Sequence, residues 1–447
     1  MSLSCLPPEL SSRILSICNA KDLASFSQAS VQTHDLIYST EDQCIWRSVF
    51  LNTFDDPRRA VHPRLDFDWK KELQRRTTAQ SIAFSSSNPE GAEQALKVFI
   101  DVVNEALPAT ADEDSENISW LDNLLLQSKF LDTFDAPLSH LHALVNISHE
   151  ETAEFSEERE LLLRDRRTNS RFFVYDLQNY RSETGYAPFT GGSTTNWVHI
   201  NHLIHVVLMN LREVPTLWGR RPPLGLEATR AYSAPGLRDA MTEDWAGVEG
   251  LWRSRNLHLP YFSPAFNNST IGGGPRSRTF FQDTRFREAT RLIEVKLHLV
   301  ARNQLKVPQH LAPESSESSS SSSSTSSRPT LYFTGTSRGN SGNEATIEGS
   351  VSIGKDGCVR WHFVSTVCTL PFLRWNRLRS KIDLIQATMY DGVTQWCSQG
   401  VQIGNIGSAA GVVGNWTTSL HEEDDPVGPF WLWKVEEDSA PSLVDFT

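Results

Sequence analysis

The spacing of apolar residues changes along the chain from a helical period to a strand period. Near the start, Leu10, Ile14 and Ile17 recur at i, i+4 and i+7, which predicts one face of a helix. Much further along the chain, Ile293–Leu299 alternates strictly between apolar and polar residues, which predicts a half-buried antiparallel strand. We place the change at about residue 170. The pattern therefore predicts an α+β protein, with helices first and strands second.

The helical part divides into a compact block over residues 1–51 and a helical linker region over residues 52–170. Within the block, Asn19 resembles a helix cap, and Thr40 begins a Thr-x-x-Gln capping box. A few short helices in about 50 residues bury little apolar surface alone, so the block is expected to pack on a partner or on the linker region. Further helices are predicted over 68–77, 92–103, 120–126 and 138–145.

The β-rich part, residues 171–447, carries several short strand patterns separated by glycine-rich turns. Lys355–Gly357 is a hairpin turn signal, and one predicted helix, over about 196–213, interrupts the strands. These features predict an antiparallel barrel or a sandwich-like domain. Because Phe430–Trp433 is apolar on both faces, one face is expected to lie under a helix or to form a recognition surface. Other strands are predicted at 245–252, 330–334, 395–403 and 411–416.

Two segments interrupt the strand pattern. Residues 314–328 are almost pure serine and are predicted to form a disordered loop. Residues 367–389 have no alternating pattern and lengthen what should be a connection of about two to five residues. The first two residues, Val-Cys, are also what the splice-donor sequence GTATGT encodes. We interpret most of this segment as a retained intron or a late insertion; the alternative is a genuine surface helix at Trp375–Leu384.

Composition excludes several classes of protein. The chain has 42 Lys and Arg against 54 Asp and Glu, a net charge of −12, which argues against nucleic acid or an anionic membrane surface as the main partner. The longest apolar run, 204–209, is too short for a membrane helix, and the first residues do not resemble a signal peptide. Six scattered cysteines without a CxxC pattern favour a reducing compartment, the cytoplasm or nucleus.

No catalytic motif is visible in the sequence. His199, His202 and His205 follow one another at three-residue steps, so their rings fan over about 120° of a helix, and we interpret them as ordinary helix residues and not as metal ligands. The glycines of 400–407 do not continue into a phosphate-binding loop and are interpreted as turn or bulge residues. We therefore expect a non-enzyme without a cofactor.

Tryptophan is the most informative residue of the β-rich part. The chain has 13 tryptophans, and large amphipathic rings serve both as core residues and as anchors of binding surfaces. We hypothesise a substrate-binding site near Trp245, Trp252, Trp396 and Gln402, on glycine-rich strands and turns where a ligand can approach the backbone closely.

The N-terminal block resembles an F-box over residues 3–50. The resemblance rests on Leu6-Pro7-x-Glu9-Leu10, on the Asp22-Leu23 pair at the expected distance, and on Trp46 at the end. F-boxes are short helical modules that bind the adaptor Skp1 and thereby a cullin–RING ubiquitin ligase. Val31 and His34 depart from the family pattern, which commonly has a basic and an aromatic residue there. The resemblance implies Skp1 contacts at Leu6, Pro7, Glu9, Leu10, Ile14, Leu15, Leu23 and Phe26.

The β-rich part is similar to fungal F-box proteins known only as sequences, at 244–252, 359–363, 399–404 and 411–416. The combined features favour a substrate-recognition subunit of an SCF (Skp1–cullin–F-box) ubiquitin ligase, which binds Skp1 and an unknown protein substrate. One alternative is a lipocalin-like barrel for a small ligand, with turnover regulated by the F-box; another is an F-box scaffold outside any ligase. An enclosed cavity above about 300 Å³ favours the ligand, and a filled core with an exposed aromatic groove favours a peptide.

Overall fold

The computed structural model describes most of the 447 residues. They are 7–39, 43–85, 89–111, 113–128, 130–131, 136–146, 157–191, 194–213, 221–237, 243–258, 278–283, 286–306, 328–339, 344–367, 394–421 and 425–436. The chain separates into two compact units, Met1–His142 and Ala143–Thr447. The predicted boundary at residue 170 falls inside a helix of the second unit.

The first unit is helical, as the sequence predicted. Its helices are α1 Pro8–Leu15, α2 Ala20–Ser27, α3 Val31–Tyr38, α4 Cys44–Leu51, α5 Trp69–Phe84, α6 Pro89–Asn104 and α7 Glu116–Gln127, and α8, Ser139–Val145, spans the division. The core continues from the first block into the linker region, because Phe50 of α4 packs against Phe67 and Trp69, with ring centroids 5.3 and 5.5 Å away. The first block therefore obtains part of its core from the linker region.

Two polar side chains show how the sequence sets the helix ends. The Asn19 side chain accepts a hydrogen bond of 2.8 Å from the backbone N–H of Asp22, so the predicted cap of α2 is confirmed. The capping box predicted at Thr40 and Gln43 stays a prediction, because Thr40 lies outside the described residues. Gln43 accepts from the backbone N–H of Trp69 at 2.8 Å. The side chain thus satisfies a donor at the start of α5, and the two blocks are joined there.

A buried arginine joins the first four helices to the linker helices. Arg76 of α5 is 1% exposed and forms ion pairs with Glu72 and Glu105 at 3.1 and 2.5 Å. The guanidinium also lies over the rings of Phe50 and Phe54, 4.8 and 4.6 Å from the ring centroids. Removing one partner of such a network leaves an uncompensated buried charge and typically costs about 3–5 kcal/mol.

The second unit contains a closed barrel. Of the two folds predicted from the sequence, a barrel or a sandwich, the barrel is therefore confirmed. Each strand pairs antiparallel with the next in the chain, and the last closes on the first. The eight strands are β3 Gly250–His258, β4 Ala289–Val300, β5 Leu331–Gly339, β6 Glu344–Ile353, β7 Val359–Val367, β8 Thr394–Gln402, β9 Val412–Thr418 and β10 Gly428–Val435. A short hairpin of β1 Phe189–Thr190 and β2 Thr194–Thr195 precedes them.

Aromatic rings fill the barrel near one end. Trp252 of β3 and Trp361 of β7 lie on opposite sides of the barrel, yet their ring centroids are 5.0 Å apart, so both rings lie in the lumen. Glycines make room for such rings: a Cβ added at Gly349 would lie 2.2 Å from the ring of Phe333. The same end is covered by residues 228–234, which form main-chain hydrogen bonds of 2.8 to 3.0 Å with the β8–β9 connection. We call it the closed end.

The outer face of the barrel carries a helix where the sequence required one. The helix α10, Trp197–Glu213, packs on β9 and β10, and Trp431 and Trp433 of β10 are buried. The predicted cover of the second apolar face of β10 is therefore confirmed. The helix α9, Glu157–Val174, packs beside α10, and α11, Arg278–Gln282, packs on α9. A buried ion pair at 2.7 Å joins Arg171 of α9 to Glu288, which precedes β4.

The two segments that interrupt the strand pattern lie almost entirely outside the described residues. Only Arg328, at the end of the serine tract, and Val367, at the end of β7, are described. The strands on either side of residues 367–389 pair as neighbours, from Arg360 opposite Val401 to Thr366 opposite Thr394, with a register shift at Ser365 and Thr366. This pairing was expected if residues 367–389 are an insertion, and the origin of the segment stays a prediction.

The register of β7 and β8 generates a deletion test. Removing residues 367–389 leaves only residues 390–393 between the directly opposed Thr366 and Thr394, and four residues are an ordinary hairpin length. We expect the deletion variant to fold, with a thermal unfolding midpoint within about 2 °C of the full chain, a shift of about 1 kcal/mol for a unit of this size. Differential scanning calorimetry measures it. Sequencing of transcripts tests the intron directly, and an unfolded deletion variant together with transcripts that all carry these codons would contradict the interpretation.

Candidate functional site

The first candidate site is an apolar surface on α1 in the helical unit. The helix begins at Pro8, as its position predicted, and ends at Leu15, which is buried against α4. A hydrogen bond of 2.8 Å from Asn52 to the carbonyl oxygen of Ser16 holds the end of α1 beside the end of α4. A second, of 3.1 Å, runs from the indole N–H of Trp46 to the carbonyl oxygen of Ile37 and fixes α3 against α4. The short helices are thus positioned by side-chain contacts to the backbone.

The predicted Skp1 contacts divide into surface residues and core residues. Pro7, Glu9, Leu10 and Ile14 are exposed, and the two large apolar side chains, Leu10 and Ile14, are exposed by 53% and 43%. Such exposure of large apolar residues on one helix face is typical of an interaction surface. Leu6 lies outside the described residues.

Three predicted contacts are less accessible than we expected. Leu23, which a contact with Skp1 would require to be accessible, is only 1% exposed and belongs to the core of the helical unit. Leu15 is also a core residue, and Phe26 is half-buried against the same core. The reason is the length of α1 and α2: helices of eight residues have one inward face, and Leu15 and Leu23 occupy it.

Sequence reasoning missed two further exposed apolar residues of the F-box as contact candidates. Ile17, directly after α1, is 73% exposed, and Val31, the first residue of α3, is 77% exposed. In the sequence, Val31 stands out only as a departure from the family pattern. A valine exposed at a helix start gains nothing from folding, which could have indicated a contact residue. We call Leu10, Ile14, Ile17 and Val31 the apolar surface residues of the helical unit.

The comparisons identify this unit. The family model of the F-box domain matches residues 3–42, which confirms the resemblance drawn from the sequence. The chain is therefore an F-box protein, and F-box domains generally bind Skp1 as non-catalytic adaptors. No curated protein matches the chain, and no solved structure does. The similarity of the β-rich part to fungal proteins thus stays a prediction.

The second candidate site was expected around four residues of the barrel unit, and the structure separates them. Trp252 is buried in the closed end of the lumen, and Trp245 is 3% exposed, with its indole N–H donating to the carbonyl oxygen of Pro329 at 2.8 Å. Gln402 is also buried: with the amide oxygen turned toward the β8–β9 connection, it accepts from the N–H groups of Ser408 and Gly407 at 2.8 and 2.9 Å. These three residues hold the closed end together and present no binding surface.

Trp396 is the one predicted residue that remains accessible. It is half-buried, lies on the lumen side of β8, and meets Trp416 of β9 edge to face at 5.1 Å between ring centroids. Phe363 of β7 is also half-buried and touches Phe430 of β10 across the lumen, at 5.6 Å. The aromatic filling of the barrel thus ends at a level where its rings become accessible. We call this end the mouth.

The walls of the mouth are small and polar above the aromatic rings. The pairing of the strands places Arg291 and Asn256 opposite each other on the lumen side, two residues from the ends of β3 and β4. Arg291 is exposed although its position faces inward, so solvent reaches the mouth. A Cβ added at Gly339 would meet nothing within 4 Å, in contrast to Gly349 deeper in the lumen. Other lumen-side residues here are Ser254, Ile293, Ser337, Ala345, Ser365 and Ser398.

The three histidines of α10 lie close to the hydroxyl groups of Tyr180 and Ser170. His199 contacts the Tyr180 hydroxyl at 3.0 Å, and the hydroxyl of Ser170 lies 3.0 and 3.4 Å from Nδ1 of His202 and His205. Among the described residues, no group of three His, Cys, Asp or Glu side chains is placed to hold a metal ion. In the same part of the chain, no helix is long and apolar enough to cross a membrane.

The buried histidines predict a loss of stability in mild acid. Burial lowers the pKa of His199 from 6.5 to about 3, with a further contribution from His202, and lowers that of His202 to about 4. The unfolded chain therefore binds these protons at a higher pH than the folded chain does. Stability is fully present above about pH 6.5 and falls between pH 6.5 and 4. From pH 7 to 5.5 we expect a loss of about 2 kcal/mol from both residues together.

Urea unfolding at the two pH values measures this loss. The His202→Gln variant retains a polar group but does not titrate, so its stability should fall less over the same interval. The exposed His34, which lies in the other unit, provides the matched control, because His34→Gln should leave the pH dependence unchanged. Equal losses in all three proteins would assign the acid sensitivity to other groups.

Proposed function

We propose that this protein is the substrate-recognition subunit of an SCF ubiquitin ligase. The observation that supports the proposal is the apolar surface of the F-box, where Leu10, Ile14, Ile17 and Val31 are exposed beside a well-packed helical core. Burying such side chains against a partner stabilises a complex by roughly 25 cal/mol per Å² of apolar surface. In this proposal Skp1 covers the surface and thereby connects the chain to a cullin and a ubiquitin-conjugating enzyme.

The barrel unit then supplies recognition of the target protein. The mouth is the accessible aromatic region of the barrel, with Phe363 and Trp396 half-buried. Accessible aromatic rings are common anchors at interfaces. A receptor of this kind needs no catalytic group of its own, since the transfer chemistry belongs to the other subunits. We place its action in the cytoplasm or nucleus, in agreement with the six sparse cysteines of the chain.

A second function is favoured by a specific observation, the topology of the barrel. Eight antiparallel strands that follow one another around a closed barrel are the arrangement of lipocalins, which hold one small ligand in the lumen. Here aromatic rings fill the closed end, so the barrel matches neither the enclosed cavity expected for a small ligand nor the completely filled core expected for a peptide receptor. The deep lumen is packed, and the accessible part of the lumen lies at the mouth. A ligand-regulated receptor combines both functions in one chain.

The Skp1 contact is tested by a paired substitution on α1. In Leu10→Ala/Ile14→Ala, two exposed anchors are lost, and we expect binding of Skp1 to weaken about 100-fold or more, since anchors of this kind cost about 2 kcal/mol each at an interface. Folding should be unaffected, because neither side chain is in the core. Isothermal titration calorimetry with purified Skp1 measures the affinity, and circular dichroism measures the folding.

A matched control is available in the barrel unit. Leu161 and Leu162 of α9 are exposed leucines outside the F-box, and Leu161→Ala/Leu162→Ala should bind Skp1 like the natural chain. If the α1 variant binds Skp1 as tightly as the control, the proposed contact is wrong. Affinity purification with the two variants, with and without proteasome inhibition, then identifies targets whose abundance depends on the Skp1 contact.

A further inference from the structure

The mouth of the barrel contains an arginine that the fold does not use. Arg291 occupies a lumen-side position of β4, and lumen-side positions of an eight-stranded barrel are normally filled by apolar or small residues. Within the described part of the chain, its side chain has no hydrogen bond and no ion pair, and it is exposed. Because Arg291 is exposed, its charge stays solvated at the mouth and its guanidinium is accessible to a ligand.

The surroundings of Arg291 define a site with two different ends. Toward the closed end lies Ile293 on the same strand, and the half-buried rings of Phe363 and Trp396 are accessible on the lumen side of β7 and β8. Toward solvent lies Asn256, directly opposite Arg291, whose side-chain oxygen accepts from Ser254 at 2.6 Å. A ligand complementary to these walls has a flat apolar body and a negatively charged or strongly accepting head.

The depth of the accessible lumen limits the size of this ligand. The contact of Trp252 with Trp361 crosses the barrel at 5.0 Å, and that of Phe363 with Phe430 crosses at 5.6 Å. A long acyl chain therefore has no tunnel to enter. Above the rings, a Cβ added at Gly339 would meet nothing within 4 Å among the described residues, and the lumen-side residues nearest to it in the strand pairing are Ile293, Ser337 and Ala345. The space suits one ring system and not an extended chain.

We propose that the mouth of the barrel binds a small aromatic anion, with the ring on Phe363 and Trp396 and the charge on Arg291. The inference rests on the proposed ligand-regulated receptor and names the class of ligand. Charge-assisted hydrogen bonds from a guanidinium to an anionic oxygen are stronger than neutral ones and select for charge. The net charge of −12 gives the chain no general attraction for anions, so binding must depend on this local arginine.

Two fluorescent probes of similar shape test the proposal with the full chain. 8-Anilinonaphthalene-1-sulfonate carries an anionic group, and N-phenyl-1-naphthylamine lacks it. We expect the anionic probe to bind with one-to-one stoichiometry and to quench tryptophan fluorescence. In Arg291→Gln its affinity should fall about tenfold or more, while that of the neutral probe changes less than about twofold. Arg338→Gln is the matched control, since Arg338 is an exposed arginine on the outer side of the next strand, and it should leave both affinities unchanged.

A second variant blocks the mouth without removing charge. Gly339→Trp fills the open space before Gly339 and should abolish binding of both probes while the unfolding midpoint stays within a few degrees of the natural chain. If it unfolds, Ser337→Phe on the same strand face replaces it. Equal binding of the anionic probe by Arg291→Gln and the natural chain would overturn the proposal. Binding of a peptide with an aromatic C-terminus in the mouth, without binding of the free probe, would also overturn it and assign the mouth to a protein.

These outcomes are separate from the test of the proposed function. All barrel variants retain the F-box, so they should bind Skp1 with unchanged affinity whether or not the mouth binds an aromatic anion. Loss of Skp1 binding in Leu10→Ala/Ile14→Ala should conversely leave probe binding unchanged.

Discussion

The width of an eight-stranded barrel is the constraint on which the second unit depends. Such a barrel leaves an interior just large enough for side chains or for one small ligand, so every large residue on the lumen side needs a small one near it. Here Gly349 admits the ring of Phe333, and a Cβ at Gly400 would lie 3.0 Å from the ring of Phe430. The glycines thus allow aromatic rings to meet across the lumen. Beyond the last of these rings, the lumen is accessible to solvent and forms the mouth.

Closure of the barrel also explains why so many outward residues of this unit are buried. A closed barrel has no edge strands, so elements added to it pack on the outer faces of strands. The helix α10 covers β9 and β10, and this converts Trp431 and Trp433 into core residues. The pair Arg171 and Glu288, joined by a bidentate contact at 2.7 and 2.8 Å, fixes α9 near the start of β4. Such a pair contributes geometry more than stability, because burial of both charges is costly.

Much of the fold could be predicted from the sequence because its signals are local. The alternation in Ile293–Leu299, the turn at Lys355–Gly357 and the proline at the start of α1 each act within a few residues, and each was confirmed. The closure of the barrel was predicted only as one of two alternatives, since it depends on the pairing of β10 with β3 across the whole unit. The burial of Trp245 and Gln402 was missed for the same reason: their partners, Pro329 and residues 407–408, lie on other connections. Arg291 was missed because the predicted strand began at Ile293, although Arg291 lies two residues earlier and therefore on the same face.

The F-box does not form a separate module within its unit. Its last helix, α4, supplies Phe50, which packs on Phe67 and Trp69 and lies under the guanidinium of Arg76. A block of four helices with eight residues each cannot bury both faces, so one face uses the linker helices and the other presents Leu10 and Ile14 to solvent. Folding gains little from those exposed side chains, whereas binding to a partner gains the full burial. Leu15 and Leu23 therefore stabilise the short helical block within its unit. Leu10 and Ile14 stay exposed on its surface, where a binding partner can bury them.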